Sequence, residues 1–103
     1  MPAIIIKYRL KPGVTPAQFE DWVREEDQPA MRGLERVKAF DTYRIDGMLM
    51  GEGQPSVQYI ELFDIPDLDG FNDEDMAGET VQQIMGQFMG FAEAPEFLIA
   101  QKL

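Results

Sequence analysis

The sequence predicts an α+β fold in which two helices pack on one face of a four-stranded antiparallel sheet. Three observations favour it: four runs rich in β-branched and aromatic residues, two runs with apolar residues at helical spacing, and their order along the chain. That order is strand, helix, strand, strand, helix, strand. At 103 residues the chain has the length of one domain, and we expect 1–103 to form a single unit.

The first strand is predicted at residues 3–10, which are rich in isoleucine and end at the turn signal Lys-Pro-Gly of residues 11–13. The consecutive isoleucines at 4–6 place apolar side chains on both faces of the pleat. Both faces of this strand are therefore expected to be covered.

The first helix is predicted over residues 16–27. Thr15 stands three residues before Gln18, the spacing of a capping box, and a proline occupies the first helical position. Pro29 disfavours helical geometry in the residue before it, so the helix is expected to end near there, with an extra turn around 31–34. The apolar stripe of this helix consists of Phe19, Trp22 and Val23.

The middle of the chain predicts two strands and two connections. Alternating residues predict strand two at 36–46, and a run rich in Val, Tyr and Ile predicts strand three at 57–65. Between them, residues 47–56 contain three glycines and a proline, which indicates a mobile connection whose apolar tip would suit a pocket lid or a subunit contact. The acidic segment 67–75 is expected to form a short helical turn at most.

The second helix is predicted over 79–91 and the last strand over 97–103. In the helix, Gly86 and Gly90 lower the intrinsic helix preference without removing the apolar periodicity. The periodic residues are Val81, Ile84, Met85 and Phe88.

This complete order is that of the ferredoxin-like split βαβ fold, in which right-handed crossovers place both helices on the same face of the sheet. Side chains such as Ile5 then form a second apolar face that the helices leave uncovered. We therefore predict a homodimer in which two such sheets pack face to face as a dimeric α+β barrel.

Composition excludes several classes of function. Nine Lys and Arg against nineteen Asp and Glu give a formal net charge of −10, so nucleic acid and anionic membranes are unsuitable partners. The chain has no Cys and no His, which excludes thiolate nucleophiles, Cys/His zinc sites and axial histidine ligation of heme; we expect no metal and no cofactor. No apolar stretch approaches the roughly 18 residues that span a bilayer, and the N-terminus has no cleavage-type segment, so we predict a cytoplasmic location.

The space between helices and sheet is the natural ligand cavity of such a fold. Aromatic residues of the predicted elements either fill this space as core or form a slot for a flat ring system. As substrate-binding candidates we take Tyr8, Trp22, Arg44, Phe63, Phe88 and Phe91, and as catalytic candidates Asp27, Tyr43 and Tyr59.

Glu26 and Asp27 stand where the stripe of the first helix, extended by one turn, would require apolar side chains. A partly buried carboxylate at a helix C-terminus is disfavoured as an anion, so either residue could accept a proton near neutral pH. The alternative is a solvated, frayed helix end. Asp27 is preferred because Gln28 and Pro29 fix the turn beside it.

Asp41 and Glu61 are predicted to share the face of Tyr43 and Tyr59, so burial of that face would require cationic partners. The candidate partners are Lys7, Arg9, Lys38 and Arg44. One outcome is a set of ion pairs at a dimer interface. The other is that Arg44 holds an anionic or carbonyl group of a substrate.

Several short segments carry a resemblance to a known family. They are FEDWV at 19–23, DQP at 27–29, VKAFDTY at 37–43, YIE at 59–61 and APEF at 94–97. Through these segments, the sequence resembles the RedY-like family of prodiginine (prodigiosin-type) pigment biosynthesis over nearly its whole length. The resemblance implies a dimeric α+β barrel and a part in making the bipyrrole half of a tripyrrole pigment. It brings no catalytic residues with it.

Three functions remain open. The first is a pathway enzyme that acts on a pyrrole or bipyrrole precursor. The second is a cofactor-independent monooxygenase of an aromatic natural product, a reaction found in the same barrel superfamily. The third is a non-catalytic carrier or an assistant to other pathway enzymes. A proton-transfer group in the cavity is typical of an enzyme, an aromatic slot alone of a carrier, and an exposed patch beyond the dimer interface of an assistant.

Overall fold

The computed structural model describes residues 2–103, which have the predicted ferredoxin-like α+β fold. All strand pairs are antiparallel, in the order β2-β3-β1-β4, so the first strand is central and the last lies at an edge. The strands are β1 (Pro2–Leu10), β2 (Ala39–Arg44), β3 (Tyr59–Asp64) and β4 (Ala92–Gln101).

The helices pack on one face of this sheet. They are α1 (Pro16–Trp22), α2 (Gln28–Arg32), α3 (Leu68–Gly70) and α4 (Glu79–Phe91), the last with the predicted bounds. The capping box is confirmed: the Gln18 N–H donates to Thr15 Oγ1 at 3.2 Å, and the Thr15 N–H donates to Gln18 Oε1 at 3.0 Å. Within residues 2–103, no helix combines the length and apolar character needed to cross a bilayer.

A π-helical turn, Val23–Asp27, joins α1 to α2, so the first helix continues past Pro29 instead of ending before it. Side chains four residues apart are all buried along this segment; they are Phe19, Val23, Asp27 and Met31. In a regular α-helix, residues four apart overshoot one turn by about 40°. The extra residue of the wide turn offsets that drift and keeps Asp27 facing the sheet. Pro29 is tolerated because the α-helical hydrogen-bond ladder is already interrupted there.

The acidic segment 67–75 folds into α3 and a second π-helical turn, Phe71–Asp75. The Gly70 N–H donates to the Asp67 carboxylate at 3.0 Å. Arg36, just before β2, donates to Asp67 at 3.0 Å and to Glu74 at 3.1 Å. One guanidinium therefore ties this segment to the body of the protein, with the Phe71 ring buried beneath it.

β4 begins earlier than the predicted 97–103, because Ala92 already pairs with Leu10 of β1. The register shifts between Lys7 and Arg9, and Ala94 adopts a positive φ of 46°, the marks of a bulge. Pro95 is compatible with this strand because β4 lies at the edge of the sheet.

The strand register decides which side chains face the helices. On β3, Tyr59, Glu61 and Phe63 are buried beneath them. Phe40 of β2 pairs with Phe63 and stacks on it with ring centroids 4.2 Å apart. Because side chains alternate along a strand, Tyr43 points to the opposite face. The prediction that Tyr43 shares a face with Tyr59 and Glu61 is therefore wrong.

The face of the sheet away from the helices, here called the outer face, is largely apolar. Its apolar side chains include Ile5, Tyr43, Ile60, Leu62 and Leu98. In the single chain, Tyr43 is 50% exposed and Leu62 is 39% exposed. Asp41 lies on this face too, where Arg32 contacts its carboxylate at 3.2 Å.

Candidate functional site

An apolar cavity of about 520 Å³, here called the groove, lies between the sheet and the segment formed by α3, the Phe71–Asp75 turn and α4. Its floor comes from β1, β3 and β4, and its roof from aromatic and methionine side chains. The residues that define it best are Ile6, Phe63, Phe71, Met85, Phe97 and Ile99. Phe97 and Ile99 face the helices but are 45% and 70% exposed, because the helices cover β4 only in part. The groove therefore opens along this edge of the sheet.

A smaller cavity of about 40 Å³, here called the inner chamber, adjoins the groove. Ile6, Phe63 and Phe97 are among the lining residues that the two cavities share. The inner chamber is also bounded by two carboxyl groups, those of Asp27 and Glu61. An apolar groove thus leads to a small acidic end.

Asp27 is 3% exposed. The π-helical turn directs it inward, whereas Glu26 beside it is exposed. Within the described residues, its Oδ2 atom has no hydrogen-bond partner. Burial raises the pKa of Asp27 to about 7, because a charge in this apolar setting is poorly solvated.

Glu61 is also 3% exposed, and its Oε2 atom accepts a hydrogen bond from the Tyr8 hydroxyl. Burial and the nearby charge of Asp27 raise the pKa of Glu61 to about 8, against the opposing effect of the Tyr8 hydrogen bond. Tyr8, itself buried, has its pKa raised by burial and by Glu61. The two carboxyl groups can therefore each exchange a proton near neutral pH, and as neighbours they titrate as a pair.

Sequence reasoning identified Glu61 only as a member of an ion pair. The structure gives it no cationic partner among the described residues. The available signal was the alternation in β3, in which Glu61 stands between Tyr59 and Phe63 on the same face as these aromatic residues.

Tyr59 and Arg44 meet at a separate polar cleft of about 190 Å³. The Tyr59 hydroxyl donates to Glu20 Oε2 at 2.7 Å, and Arg44 Nε lies 3.4 Å from the same oxygen. Burial and this hydrogen bond raise the pKa of Tyr59 above its ordinary value. Neither Tyr59 nor Arg44 lines the groove or the inner chamber.

The aromatic candidates divide between core and cavity. Tyr8 and Phe88 contact each other edge to face at 4.8 Å, and Trp22 lies 5.2 Å from Phe91. These rings pack together as core, so this part of the space between helices and sheet is filled and holds no slot for a flat ligand. Phe88 also borders the inner chamber, and Phe63 lines both cavities. Tyr43 lies on the outer face, away from Asp27.

The fold and the site together define a class: a ferredoxin-like α+β protein with an apolar pocket that ends at two buried carboxyl groups. Residues 2–103 match the family model described as "REDY-like protein HapK". The chain belongs to this family.

One solved structure supports this assignment, and two others share the fold. HapK from Hahella chejuensis is 31% identical and superimposes with a TM-score of 0.80, over 100% of this chain and 93% of that one. An EthD family protein from Bacillus halodurans has 18% identity and a TM-score of 0.75, over 100% of both chains. A dimeric ferredoxin-like protein of unknown function from Thermobifida fusca has 16% identity and a TM-score of 0.73, over 98% of this chain and 90% of that one. The last two show the fold alone. A comparison with curated proteins gives no significant match.

Proposed function

We propose that this protein takes part in prodigiosin-type pigment biosynthesis, where it acts on a pyrrole or bipyrrole intermediate held in the groove. The observation that carries the proposal is the groove of about 520 Å³ that ends at the buried carboxyl groups of Asp27 and Glu61. Membership of the REDY-like family supports the choice of pathway.

The groove suits a flat, mainly apolar ligand. Its volume lies within the range of small-molecule sites, roughly 300–1,000 Å³. Phe63, Phe71 and Phe97 offer ring faces and edges for stacking, while Met85 and Met89 adapt to the ligand's outline. A linear ligand of two small rings can lie along this surface with one end toward the inner chamber.

The buried carboxyl pair favours an enzyme over a simple carrier. A carrier needs only the apolar walls, and two uncompensated acids in such a place reduce the stability of the fold. In the proposed site, Asp27 accepts a proton from the ligand. Glu61, which Tyr8 orients through a hydrogen bond, exchanges a proton with the ligand as the second acid–base group. Tyr59 and Arg44 lie at the separate polar cleft and do not contact a ligand held in the groove, and Tyr43 belongs to the proposed subunit interface.

A cofactor-independent oxygenase is the second candidate, because the same buried base would generate an electron-rich anion from a bound aromatic ligand. Oxygen uptake with a bound pyrrole substrate would support this function. Proton exchange without oxygen uptake would support the first candidate, a pathway enzyme that acts on its intermediate by proton transfer.

We further propose that the protein is a homodimer joined through the outer face. Ile5, Ile60 and Leu62 would be buried there against a second copy, which gives a small chain a deeper core. Light scattering at micromolar concentration should give twice the mass of one chain. Leu62→Arg should give the mass of one chain, whereas Gln83→Arg, an exposed residue of α4 on the other side of the sheet, should remain dimeric.

Gene replacement tests the pathway. In a pigment producer, deletion should stop pigment formation and cause a pyrrole or bipyrrole intermediate to accumulate. Asp27→Asn should not restore the pigment, while Asp21→Asn, an exposed aspartate in the same helical segment, should restore it. Unchanged pigment after deletion would reject the pathway assignment.

A further inference from the structure

The charges around the pocket are all of one sign. Asp27 and Glu61 bound the inner chamber, and Asp69 stands at the rim of the groove. No lysine or arginine is among the described residues that line either cavity. Any charge that the lining of the pocket carries is therefore negative, which favours a cation over an anion at its rim and at its inner end.

The elements around Asp27 supply no compensating charge. Glu61 from β3 and Tyr8 from β1 are the titratable groups that face it, and Glu61 already accepts the Tyr8 hydroxyl. From α4, the inner chamber receives apolar side chains, such as Ile84. Asp27 Oδ2 is thus a buried acceptor, aimed into a cavity, without a donor among the described residues. A buried acceptor of this kind costs stability until a donor reaches it.

The sizes of the two cavities fix which part of a ligand reaches the carboxyl groups. The inner chamber, at about 40 Å³, has room for an amino group or a ring N–H edge, but not for a ring. The groove, at about 520 Å³, holds the rings themselves. A matching ligand carries its hydrogen-bond donors at one end of a flat apolar body.

We propose that the pocket selects aromatic ligands that end in a cationic, amidine-like N–H edge, which donates to Asp27 Oδ2 in the inner chamber, and that it rejects anionic ligands of the same shape. The inference rests on the proposed function only for the location of the site. It adds that a ligand places its N–H edge at Asp27, and that a ligand whose N–H edge is cationic binds more tightly than one with a neutral N–H, such as a pyrrole. Charge-assisted N–H to carboxylate bonds are about twice as strong as neutral ones, so the preference is expected to be large.

Three quinolines of nearly equal size test the proposal in titrations of the wild-type protein. Near pH 7, 2-aminoquinoline is largely an amidine-like cation, 2-methylquinoline has the same shape but is largely neutral and lacks that donor, and quinoline-2-carboxylate reverses the charge. We expect 2-aminoquinoline to bind about tenfold tighter than 2-methylquinoline or better, and the carboxylate not to bind. Calorimetry in buffers of different ionisation enthalpy should show proton release when protonated 2-aminoquinoline binds near pH 6, because the bound cation requires Asp27 as the anion.

Variants separate the roles of the acids. Asp27→Asn should abolish the preference for 2-aminoquinoline and leave 2-methylquinoline unaffected, while Asp21→Asn should change neither. Equal affinities of the amino and methyl compounds in the wild type would overturn the inference, as would binding of the carboxylate or absence of proton release. These readouts need no variant to fold.

The outcomes also separate this inference from the proposed function. If 2-methylquinoline binds as tightly as 2-aminoquinoline, the charge selection fails while the groove remains a binding site. If none of the three binds, the groove fails as a binding site, and both proposals fail. A deletion strain with normal pigment rejects the pathway but leaves charge selection intact.

Discussion

Two ends of the layer between sheet and helices are packed in opposite ways. At the end near Tyr8, rings fill the space: Phe19 has no exposed surface, and its ring centroid lies 4.9 Å from that of Tyr59. At the end near Phe63, the groove leaves about 520 Å³ open, and Ile99 faces it while 70% exposed. We call these the filled end and the open end.

The difference follows from how the helices cover the sheet. At the filled end, α1 and α4 both direct aromatic side chains at Tyr8. At the open end, the cover is α3 and a π-helical turn, tied down by Arg36, with flexible methionines beneath. One layer therefore supplies stability at one end and space at the other, and the Asp27 and Glu61 carboxyl groups lie on the border between them.

The largest effect is expected at the filled end. Phe19→Ala removes a ring that contacts Tyr8, Tyr59 and Phe91, so the free energy of unfolding should fall by about 3–5 kcal/mol. Urea denaturation followed by circular dichroism measures this loss. A loss below about 1 kcal/mol would mean that the filled end is not tightly packed.

The border between the ends should respond to pH. Because the pKa of Asp27 rises from 3.8 in the unfolded chain to about 7 in the fold, its contribution to stability falls as pH increases between those values. Asp27→Asn removes this loss, so the variant should be more stable than the wild type by about 2–4 kcal/mol at pH 9 and by nearly nothing at pH 3. Urea denaturation across this pH range gives the difference. A constant difference would show that Asp27 ionises normally.

A substitution at Gly70 should weaken the attachment of α3 and the Phe71–Asp75 turn, which cover the open end. A Cβ there would lie 2.5 Å from Arg36 Nε and would collide with the Asp67 carboxylate, so Gly70→Ala should lower the free energy of unfolding by about 1–2 kcal/mol through the lost cap and ion pair. Gly86→Ala is the matched control. Its Cβ meets nothing within 4 Å, and alanine should stabilise α4 by about 0.5–1 kcal/mol. Thermal unfolding gives the melting temperature of each variant. Melting temperatures that shift in the same direction for both variants would contradict this account.

The smallest effect is expected from a side chain that lines the groove. Met85 is partly buried and borders open space, so Met85→Ala should lower the free energy of unfolding by about 1 kcal/mol, less than the 2–5 kcal/mol of a core methionine. The same variant should weaken ligand binding in the groove. A loss as large as that of Phe19→Ala would erase the distinction between the two ends.

Local signals in the sequence were sufficient for much of the fold. The Thr15 capping box and the helix at 79–91 rest on short-range rules, and both are confirmed. The stripe that begins at Phe19 left open whether Glu26 and Asp27 point inward or belong to a solvated helix end; in the structure Asp27 is buried and Glu26 is exposed. The π-helical turn that directs Asp27 inward leaves no distinct pattern in a single sequence.

Other features depend on pairing between distant strands. The alternation at 36–46 separates Phe40 from Tyr43 but does not say which of them faces the helices. Stacking of Phe40 on Phe63 settles this in the structure. The pairing of Glu61 with Tyr8 across the sheet, and the space left by the short α3, are likewise products of tertiary packing.

The π-helical turn Val23–Asp27 contains one residue more than the α-helical turn it replaces. Loss of a single codon from it would let the two helical pieces rejoin as one regular rod, with sheet and hydrophobic groove intact. Asp27 is the side chain whose direction depends on that codon. Relatives that differ by this one residue would keep the architecture and lose the inner negative charge. A deletion of one residue from this turn and a substitution of Asp27 would therefore have the same effect on the chemistry of the pocket.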